Sequence, residues 1–436
     1  MTMINKRQLL KFGGSAIAAS ALASVLGPIG ARAAGALTVA WWGEGDQNKR
    51  TAAAMTAFAQ NSGISIDPQG TNFNGYFDRL ATQVAGGNAP DVFQVYLASM
   101  AEYAKRGTIA PLEDYLGKTI DTADWEDAAI NSMALNGTKY FVPLGLSTQP
   151  AIIYDKTVFD SIGITDLDPN WTLDEFKETC LNVAKALSAN GKKAYGVDDM
   201  GGQQTVLEAF IRSKGKNMFA EEGGLGFTKD DLTEWYTLWD EARANGMAVA
   251  PEARKQGGFE ASPIITGTAP IVQAASAKGL QGFQSLTKND LNFNPWPRYS
   301  KDVDRVQLVT PIEWMVISAN SDQKDEAAEL LNFLTNDAAA IAAMGISHGV
   351  PVNKKLRQQV MDSGKLSPVE QKIYKDTADA LPYSTRPRVI YPAGSAPLVG
   401  PTTPLITQLN DQIAFKQLDV KTAVDRFFSE ADRNLK

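Results

Sequence analysis

The sequence contains one cysteine and one histidine among 436 residues. The single cysteine, Cys180, cannot form a disulfide within the chain, whatever the redox state of its compartment. It falls on the apolar side of a predicted helix, where we expect it to be buried. Zinc sites take three or four ligands from cysteine, histidine and acidic side chains. The sequence therefore argues against a structural or histidine-based zinc site, and we expect no metal and no cofactor.

Sequence patterns of several enzyme classes are also missing. The chain has no Walker A loop and no dinucleotide-binding glycine pattern. Residues 345–349 (GISHG) match the G-x-S-x-G pattern of a hydrolase nucleophile, which needs a strand before the serine and a helix after it. Here an alanine-rich helix is predicted before Ser347, and the one histidine, His348, is its neighbour and cannot serve as its base. We interpret the segment as a helix end followed by a tight turn.

A long apolar run occurs only at the N-terminus. Three basic residues precede the run at residues 12–26, and the small-residue site Ala31-Arg32-Ala33 follows it. This order predicts a cleavable export signal over residues 1–33 and a periplasmic protein, because the run is too short to be a transmembrane helix. Residues 5–11 resemble a twin-arginine signal with Lys6 in place of the first arginine.

Positive charge is in deficit. The net charge of the full chain is −7, and the predicted signal carries four basic and no acidic side chains, so the mature chain would carry −11. A protein this acidic repels phosphate backbones, which argues against nucleic acid as a partner.

The sequence does contain a regular alternation of strand and helix patterns, and its length predicts two domains. Strands predicted at 36–42, 64–67 and 90–96 are each followed by a helix, which indicates an α/β fold with mostly parallel sheets. Ligands bind such sheets beyond the carboxyl ends of the strands. The candidates at these ends are Trp42, Glu44, Asp46, Gln47, Gln94 and Tyr96. They could instead cap and pack the loops, and acidic pairs such as Glu44 and Asp46 could serve a glycosidase.

A polar step between two apolar strands lies within residues 140–164. One strand ends at Pro143, and the next begins at Ala151. Between them Thr148 and Gln149 offer hydrogen-bonding groups. We interpret the step as a crossing from one lobe to another that leaves these groups facing a small polar ligand.

The second half of the chain supplies further candidates at strand ends. A predicted strand ends in Gln273, and a Gly-rich polar loop occupies residues 198–204. Glu313 and Trp314 lie on a predicted strand near a second crossing.

Two other groups of residues have simpler interpretations. Trp235 and Trp239 recur at helical spacing, which predicts core packing. Arg386 and Arg388 stand in a basic-aromatic cluster. A salt bridge is the favoured role for such arginines, although one of them could reach a cleft.

Eight segments carry a family resemblance, in family order. They are LTVAWWGEGD (37–46), GYFDRLATQVAGGNAPDVFQV (75–95), RGTIAPLEDYL (106–116), GTKYFVPLGLSTQPAIIYDKTVFDSIGI (137–164), WTLDEFKE (171–178), GTAPIV (267–272), WMVISANSDQKDEAAELLNFL (314–334) and HGVPVNKKL (348–356). On these segments the chain resembles the extracellular solute-binding proteins of ABC-transporter family 1, the sugar-binding group that includes maltose-binding proteins.

The resemblance implies a two-lobe periplasmic-binding-protein fold with helices on both sheet faces and a hinge of two or three crossings. It implies an N-terminal lobe of residues 34–147 and 311–350 and a C-terminal lobe of residues 148–310 and 351–436. By position, the family's binding groups fall at Trp42, Glu44, Gln94, Tyr96, Thr148, Gln149, Gly202, Gln203, Gln273 and Trp314; Asp46, Gln47 and Glu313 are added as their neighbours. Thr148 and Gln149 replace an expected acid, and the aromatic expected near Ser276 is absent, which argues against maltodextrin as ligand.

The function that the resemblance implies is capture of a sugar or sugar derivative by hinge closure, followed by delivery to an ABC permease in the inner membrane. We expect a monomer. A secreted carbohydrate-active enzyme such as a glycosidase is the alternative. A chemoreceptor adaptor that binds the ligand without transport is a third possibility.

Overall fold

The computed structural model describes residues 35–436 except 44, 165–166, 190–192, 256, 275, 306, 402 and 436, and except the side chains of residues 74, 276 and 277. The predicted export signal and the candidate Glu44 lie outside the described residues. In the part that is described, no helix has the length and apolar character needed to cross a membrane.

Strands and helices alternate at the start of the described chain, as predicted. The elements are β1 Leu37–Trp42, α1 Gly45–Ser62, β2 Ile66–Thr71, α2 Phe73–Ala85, β3 Val92–Val95, α3 Met100–Lys105, α4 Asp127–Asn131, β4 Ala134–Leu135, β5 Thr138–Lys139, β6 Val142–Pro143 and β7 Leu146–Thr148. All six residues of β1 are buried, which is the environment that a continuous apolar run favours in a central strand.

The middle of the chain begins its long helices at the predicted caps. The elements are β8 Ala151–Asp155, α5 Lys156–Ser161, α6 Leu173–Ser188, α7 Gln204–Ser213, α8 Lys229–Ala244, α9 Pro263–Thr266, β9 Ile271–Ala274, α10 Ser276–Gln284 and β10 Leu291–Pro295. Thr172 and Glu175 form a capping box at the start of α6, and Thr228 and Asp231 form one at α8. Each pair satisfies backbone N–H groups that a helix start leaves without partners.

The last part of the chain is largely helical. The elements are β11 Val309–Pro311, β12 Trp314–Ile317, α11 Lys324–Asn336, α12 Ala338–Met344, α13 Lys354–Asp362, α14 Pro368–Ala380, α15 Ala396–Val399, α16 Leu405–Ala414 and α17 Val420–Asn434. As predicted, α12 ends in a turn, with Gly345 at φ +56°. Ser347 Oγ donates to Met344 O at 2.7 Å. The His348 ring nitrogens face Thr51 and Glu313 instead of Ser347.

Two sheets divide the structure into two lobes. The first lobe contains a five-stranded sheet in the order β2-β1-β3-β12-β6, and the second contains a three-stranded sheet in the order β10-β8-β9. Strand β1 runs parallel to β2 and β3. Strand β12 is antiparallel to both β3 and β6, and both ladders of the second sheet are antiparallel. The expectation of mostly parallel sheets therefore holds only for the βαβ start of the first lobe, because the later strands enter each sheet from distant parts of the chain.

The lobes are joined where the sequence predicts crossings. Strands β7 and β11 pair antiparallel with Thr148 opposite Val309, so the first and second crossings lie side by side. The chain passes between the lobes a third time after α13. Arg357 of α13 is ion-paired with Glu126 of the first lobe, whereas Lys372 of α14 donates to Leu291 O of the second lobe at 2.7 Å.

This third passage bears on the predicted lobe boundaries. Residues 351–362, which we assigned to the second lobe, contact the first lobe through Arg357 and through the bridge between Trp125 and Asn353. The passage therefore follows α13 instead of preceding it. The other boundaries stay predictions.

The core confirms the simpler interpretations of three side chains. Trp235 and Trp239 are fully buried, with ring centroids 5.6 Å apart. Cys180 is buried on α6, and burial raises the pKa of its thiol well above the ordinary value. These residues stabilise the second lobe by packing.

Candidate ligand-binding cleft

A cavity of about 780 Å³ lies between the two lobes. The first lobe contributes Phe73, and the second lobe contributes Gln203, Gln273 and Asp198. Gln203 occupies the N-cap position of α7 without a side-chain capping hydrogen bond, and Gln273 lies on β9. The volume falls in the range of small-molecule sites. Two predicted binding residues, Gln203 and Gln273, are thus brought together in one cavity.

Three phenylalanines line the cavity, Phe73 from the first lobe and Phe259 and Phe283 from the second. The sequence analysis did not identify Phe73. Its ring centroid is 6.0 Å from that of Trp42, and the planes are nearly perpendicular. Trp42 also packs against Tyr76 and Phe77, at 5.2 and 5.5 Å, and only 4% of it is exposed. Phe73 therefore lines the cavity, and Trp42 packs against Phe73 from within the first lobe. The signal in the sequence was an aromatic residue between β2 and the predicted start of α2.

The carboxyl end of β3 lies against the aromatic residues Trp42 and Phe73. Gln94 is fully buried, and its Oε1 accepts a hydrogen bond from Trp42 N at 3.0 Å. Its Nε2 has no hydrogen-bond partner among the described residues. The Tyr96 ring lies 6.5 Å from Phe73, and burial raises the pKa of its phenol. Gln94 and Tyr96 thus place uncharged polar groups at the carboxyl end of β3.

A buried ion pair lies where the first crossing meets the 384–395 segment. Arg388 donates to both carboxylate oxygens of Glu208, at 3.0 and 2.9 Å, and to Gln149 Oε1 at 3.4 Å. Tyr391 OH adds a bond to Glu208 at 2.8 Å. The predicted salt bridge of Arg388 is confirmed. Arg386 instead donates to two main-chain carbonyls, at 3.0 and 2.8 Å.

A second buried ion cluster is centred on Glu313, just before β12. Its carboxylate accepts a hydrogen bond from Gln47 Nε2 at 3.0 Å, is ion-paired with Lys278 and contacts His348 Nδ1. Lys278 belongs to α10 of the second lobe, so this cluster joins the lobes. Burial acts to raise the pKa of Glu313, but Lys278 and His348 outweigh it and lower the pKa to about 2. Glu313 and Gln47 are therefore occupied by protein partners.

The Gly-rich loop of the second lobe carries two neighbouring carboxylates of different character. Asp199 is buried and ion-paired with Arg243, at 2.9 Å, and with Arg254. Asp198 lines the cavity. Burial and the neighbouring Asp199 raise the pKa of Asp198 to about 6. Sequence patterns did not single out either carboxylate.

Of the predicted site residues that the structure describes, Gln203 and Gln273 line the 780 Å³ cavity and the other ten do not. Three of these ten are Asp46, Thr148 and Trp314. Asp46 is ion-paired with Arg50 at 2.6 Å, and 66% of its side chain is exposed. Thr148 is buried within β7. Trp314 is 2% exposed and donates to Ser132 Oγ at 3.1 Å. Its ring lines a smaller cavity of about 270 Å³ next to Arg388.

Gly202 shapes the loop beside Gln203. Its carbonyl accepts from Thr407 Oγ1 at 2.8 Å, and a Cβ at this position would come within 3.1 Å of Thr407 Cα. Only a residue without a side chain fits this approach without displacing α16.

Comparison with protein families shows which family the chain belongs to. The sequence model of the bacterial extracellular solute-binding proteins matches residues 43–341, more than half of the chain. The chain belongs to this family. Membership of a solute-binding family agrees with the presence of a cavity large enough for a small molecule.

Individual relatives agree with this assignment. The chain is 33% identical over 117 residues to the diacetylchitobiose binding protein DasA of Streptomyces coelicolor, a match that covers 27% of the chain and 26% of that relative. An ABC substrate-binding protein from Listeria monocytogenes in complex with cycloalternan aligns with a TM-score of 0.75 at 17% identity, over 91% of this chain and 98% of the other. An oligogalacturonide binding protein from Yersinia enterocolitica, in complex with saturated digalacturonic acid, aligns with a TM-score of 0.74 at 20% identity over the same shares.

The structural alignments confirm the two-lobe fold that the resemblance implied. At these identities they establish the fold alone. The matched region spans about a quarter of the length of the Streptomyces relative.

Proposed function

We propose that this solute-binding protein captures a carbohydrate in the 780 Å³ cavity and delivers it unchanged to the permease of an ABC importer. The observation that carries the proposal is that the cavity is lined from both lobes, by Phe73 on one side and by Gln203 and Gln273 on the other. A ligand that touches both sides favours the closed arrangement over an open one.

The lining suits a sugar. The ring of Phe73 offers an apolar face to one side of a pyranose, and the two glutamines offer both donors and acceptors to its hydroxyls. The names of three similar proteins support this class of ligand, because they specify diacetylchitobiose, cycloalternan and digalacturonic acid.

Four other predicted residues form a supporting layer in this proposal. Trp42, Gln94 and Tyr96 hold Phe73 in place, and Gln149 holds Arg388 at the crossing. Among the described residues, Gln94 Nε2 is the buried donor of this layer that still lacks a partner. We propose that it binds an ordered water molecule.

We propose binding without turnover, by a monomer. A glycosidase needs two carboxyl groups that flank the scissile bond. Asp46, the described member of the acidic pair considered for this role, is exposed and paired with Arg50. Incubation of each bound saccharide with the protein, followed by chromatography, should return the saccharide unchanged; a new product would favour the enzyme.

We also propose export to the periplasm with removal of residues 1–33. The mass of the protein recovered from the periplasm should then match a chain that begins at Ala34. A protein retained at full length in the cytoplasm would contradict the proposal.

The binding site can be tested by calorimetric titration with a panel of neutral, amino and uronic mono- and disaccharides. Gln273→Ala should weaken the tightest binder roughly three- to tenfold, because one hydrogen bond to a neutral group is lost. Gln358→Ala, an exposed glutamine of α13, is the matched control and should leave affinity unchanged. Absence of binding across the whole panel, or equal affinities for both variants and the wild type, would overturn the proposed site.

A further inference from the structure

Asp198 presents a carboxylate oxygen to the cavity that remains available to a ligand. Its Oδ1 accepts a hydrogen bond from Asp199 N at 2.8 Å, and no described residue donates to its Oδ2. The side chain is half-buried and lines the cavity. A carboxylate in this position can still accept hydrogen bonds from a ligand.

Of the two cations that line the cavity, Arg254 is paired with carboxylates and Lys255 is exposed. Arg254 bonds to Asp199 and, at 2.8 Å, to Asp411. Lys255 and Glu260 also line the cavity, but both are exposed, where water and salt screen their charges. Arg254 Nε has no hydrogen-bond partner among the described residues, but this atom is buried. Among the described lining residues, Asp198 is therefore the partly buried charge whose unused hydrogen-bonding group is not buried away from the cavity.

We propose that Asp198 makes this protein select saccharides that carry no acid group. Its free oxygen would accept hydrogen bonds from the hydroxyl or amino groups of such a ligand, and its charge would repel a uronic acid carboxylate in the same place. This inference rests on the proposed function, since it assigns the class of saccharide that the same cavity accepts.

The titration of Asp198 supplies a reversible way to test the idea. Burial, together with Asp199, raises the pKa of this carboxyl to about 6, while the Asp199 backbone N–H and Arg254 act in the opposite direction. Asp198 is therefore mainly charged at pH 7.5 and mainly neutral at pH 5. The discrimination against acidic saccharides should weaken as the pH falls through 6.

The experiment compares matched saccharides by calorimetric titration. Glucose and glucuronic acid differ in one carboxyl group, as do galactose and galacturonic acid, whereas digalactose and digalacturonic acid differ in two. The neutral member of the tightest pair should bind at least about tenfold better at pH 7.5. Asp198→Asn should reduce this ratio at least about fivefold. Asp362→Asn, at an exposed acid of α13 away from the cavity, should leave it unchanged. A shift of the wild-type ratio in the same direction at pH 5 tests the inference even if the variant folds poorly.

The outcomes separate this inference from the proposed function. Binding of neutral and acidic members with equal affinity, or a ratio that stays constant in Asp198→Asn and at pH 5, would overturn the role of Asp198 while leaving carbohydrate capture intact. Absence of any saccharide binding would overturn both.

Discussion

Replacing Glu313 with glutamine should destabilise the protein, because this carboxylate is the centre of the ion cluster between the lobes. Glu313 is 1% exposed and is held by Lys278, His348 and Gln47. Glutamine keeps the shape of the side chain but removes its charge. The cation of Lys278, only partly exposed, then loses its partner.

The size of the effect can be worked out in two ways. The ordinary pKa of 4.5 and the folded-state value of about 2 differ by an amount that corresponds to about 3 kcal/mol. Removal of one partner from a buried ion pair costs about 3 to 5 kcal/mol. The two figures agree, so we expect Glu313→Gln to lower the free energy of unfolding by about 3 kcal/mol at pH 7.

The pH dependence distinguishes a charge effect from a packing effect. The folded-state pKa of Glu313 is below its unfolded value, so its stabilisation is complete above about pH 4.5 and is lost as the pH falls toward 2. The difference between the wild type and Glu313→Gln should therefore shrink to less than half at pH 3. Urea unfolding followed by tryptophan fluorescence measures this difference at both pH values.

The control for this prediction is Asp46→Asn. It also removes one carboxylate from an ion pair, but that pair is exposed on α1 and should contribute about 0.5 kcal/mol or less. A cost for Glu313→Gln that equals the control, or that is the same at pH 7 and pH 3, would refute the charge reasoning.

Two further changes test the buried groups of the second lobe. Arg388→Leu should lower the free energy of unfolding by about 3 to 5 kcal/mol, since it leaves Glu208 buried without its cation. Adding Glu208→Gln to the same chain should recover part of this loss. A loss below about 1 kcal/mol for the single variant would contradict the expectation. Cys180 should react with a thiol reagent only in denaturant, because burial raises the pKa of its thiol and keeps the reagent from reaching it. Modification of the folded protein within minutes would contradict this and would show that α6 opens locally.

The features that could be predicted from the sequence depend on residues close together along the chain. The capping boxes at Thr172 and Thr228 join residues three positions apart, and the stripe of Trp235 and Trp239 repeats over one helical turn. Such signals operate within four residues, so they are visible before any tertiary contact forms. The alternation of strands and helices and the position of the crossing at 146–149 could also be predicted from local sequence signals.

The candidate site was predicted less well, for a physical reason. Phe73 was missed because its role depends on which ring of the aromatic group reaches the cavity, and that is settled by its packing against Trp42. Glu313 and Gln47 were proposed as ligand contacts, yet both are bound to protein groups. Glu313 is 35 residues from Lys278 and from His348 in the chain, a distance at which no local pattern signals an ion pair.

Local signals in the chain were thus sufficient for the two-lobe α/β architecture, the helix starts and the segments that cross between lobes. The pairing of β12 inside the first sheet, the ion cluster that joins the lobes and the separate roles of Asp198 and Asp199 depended on segments that meet only after folding. Caps and periodic apolar residues act through the backbone over one or two turns. A cavity and the charge inside it are properties of surfaces that distant segments create together.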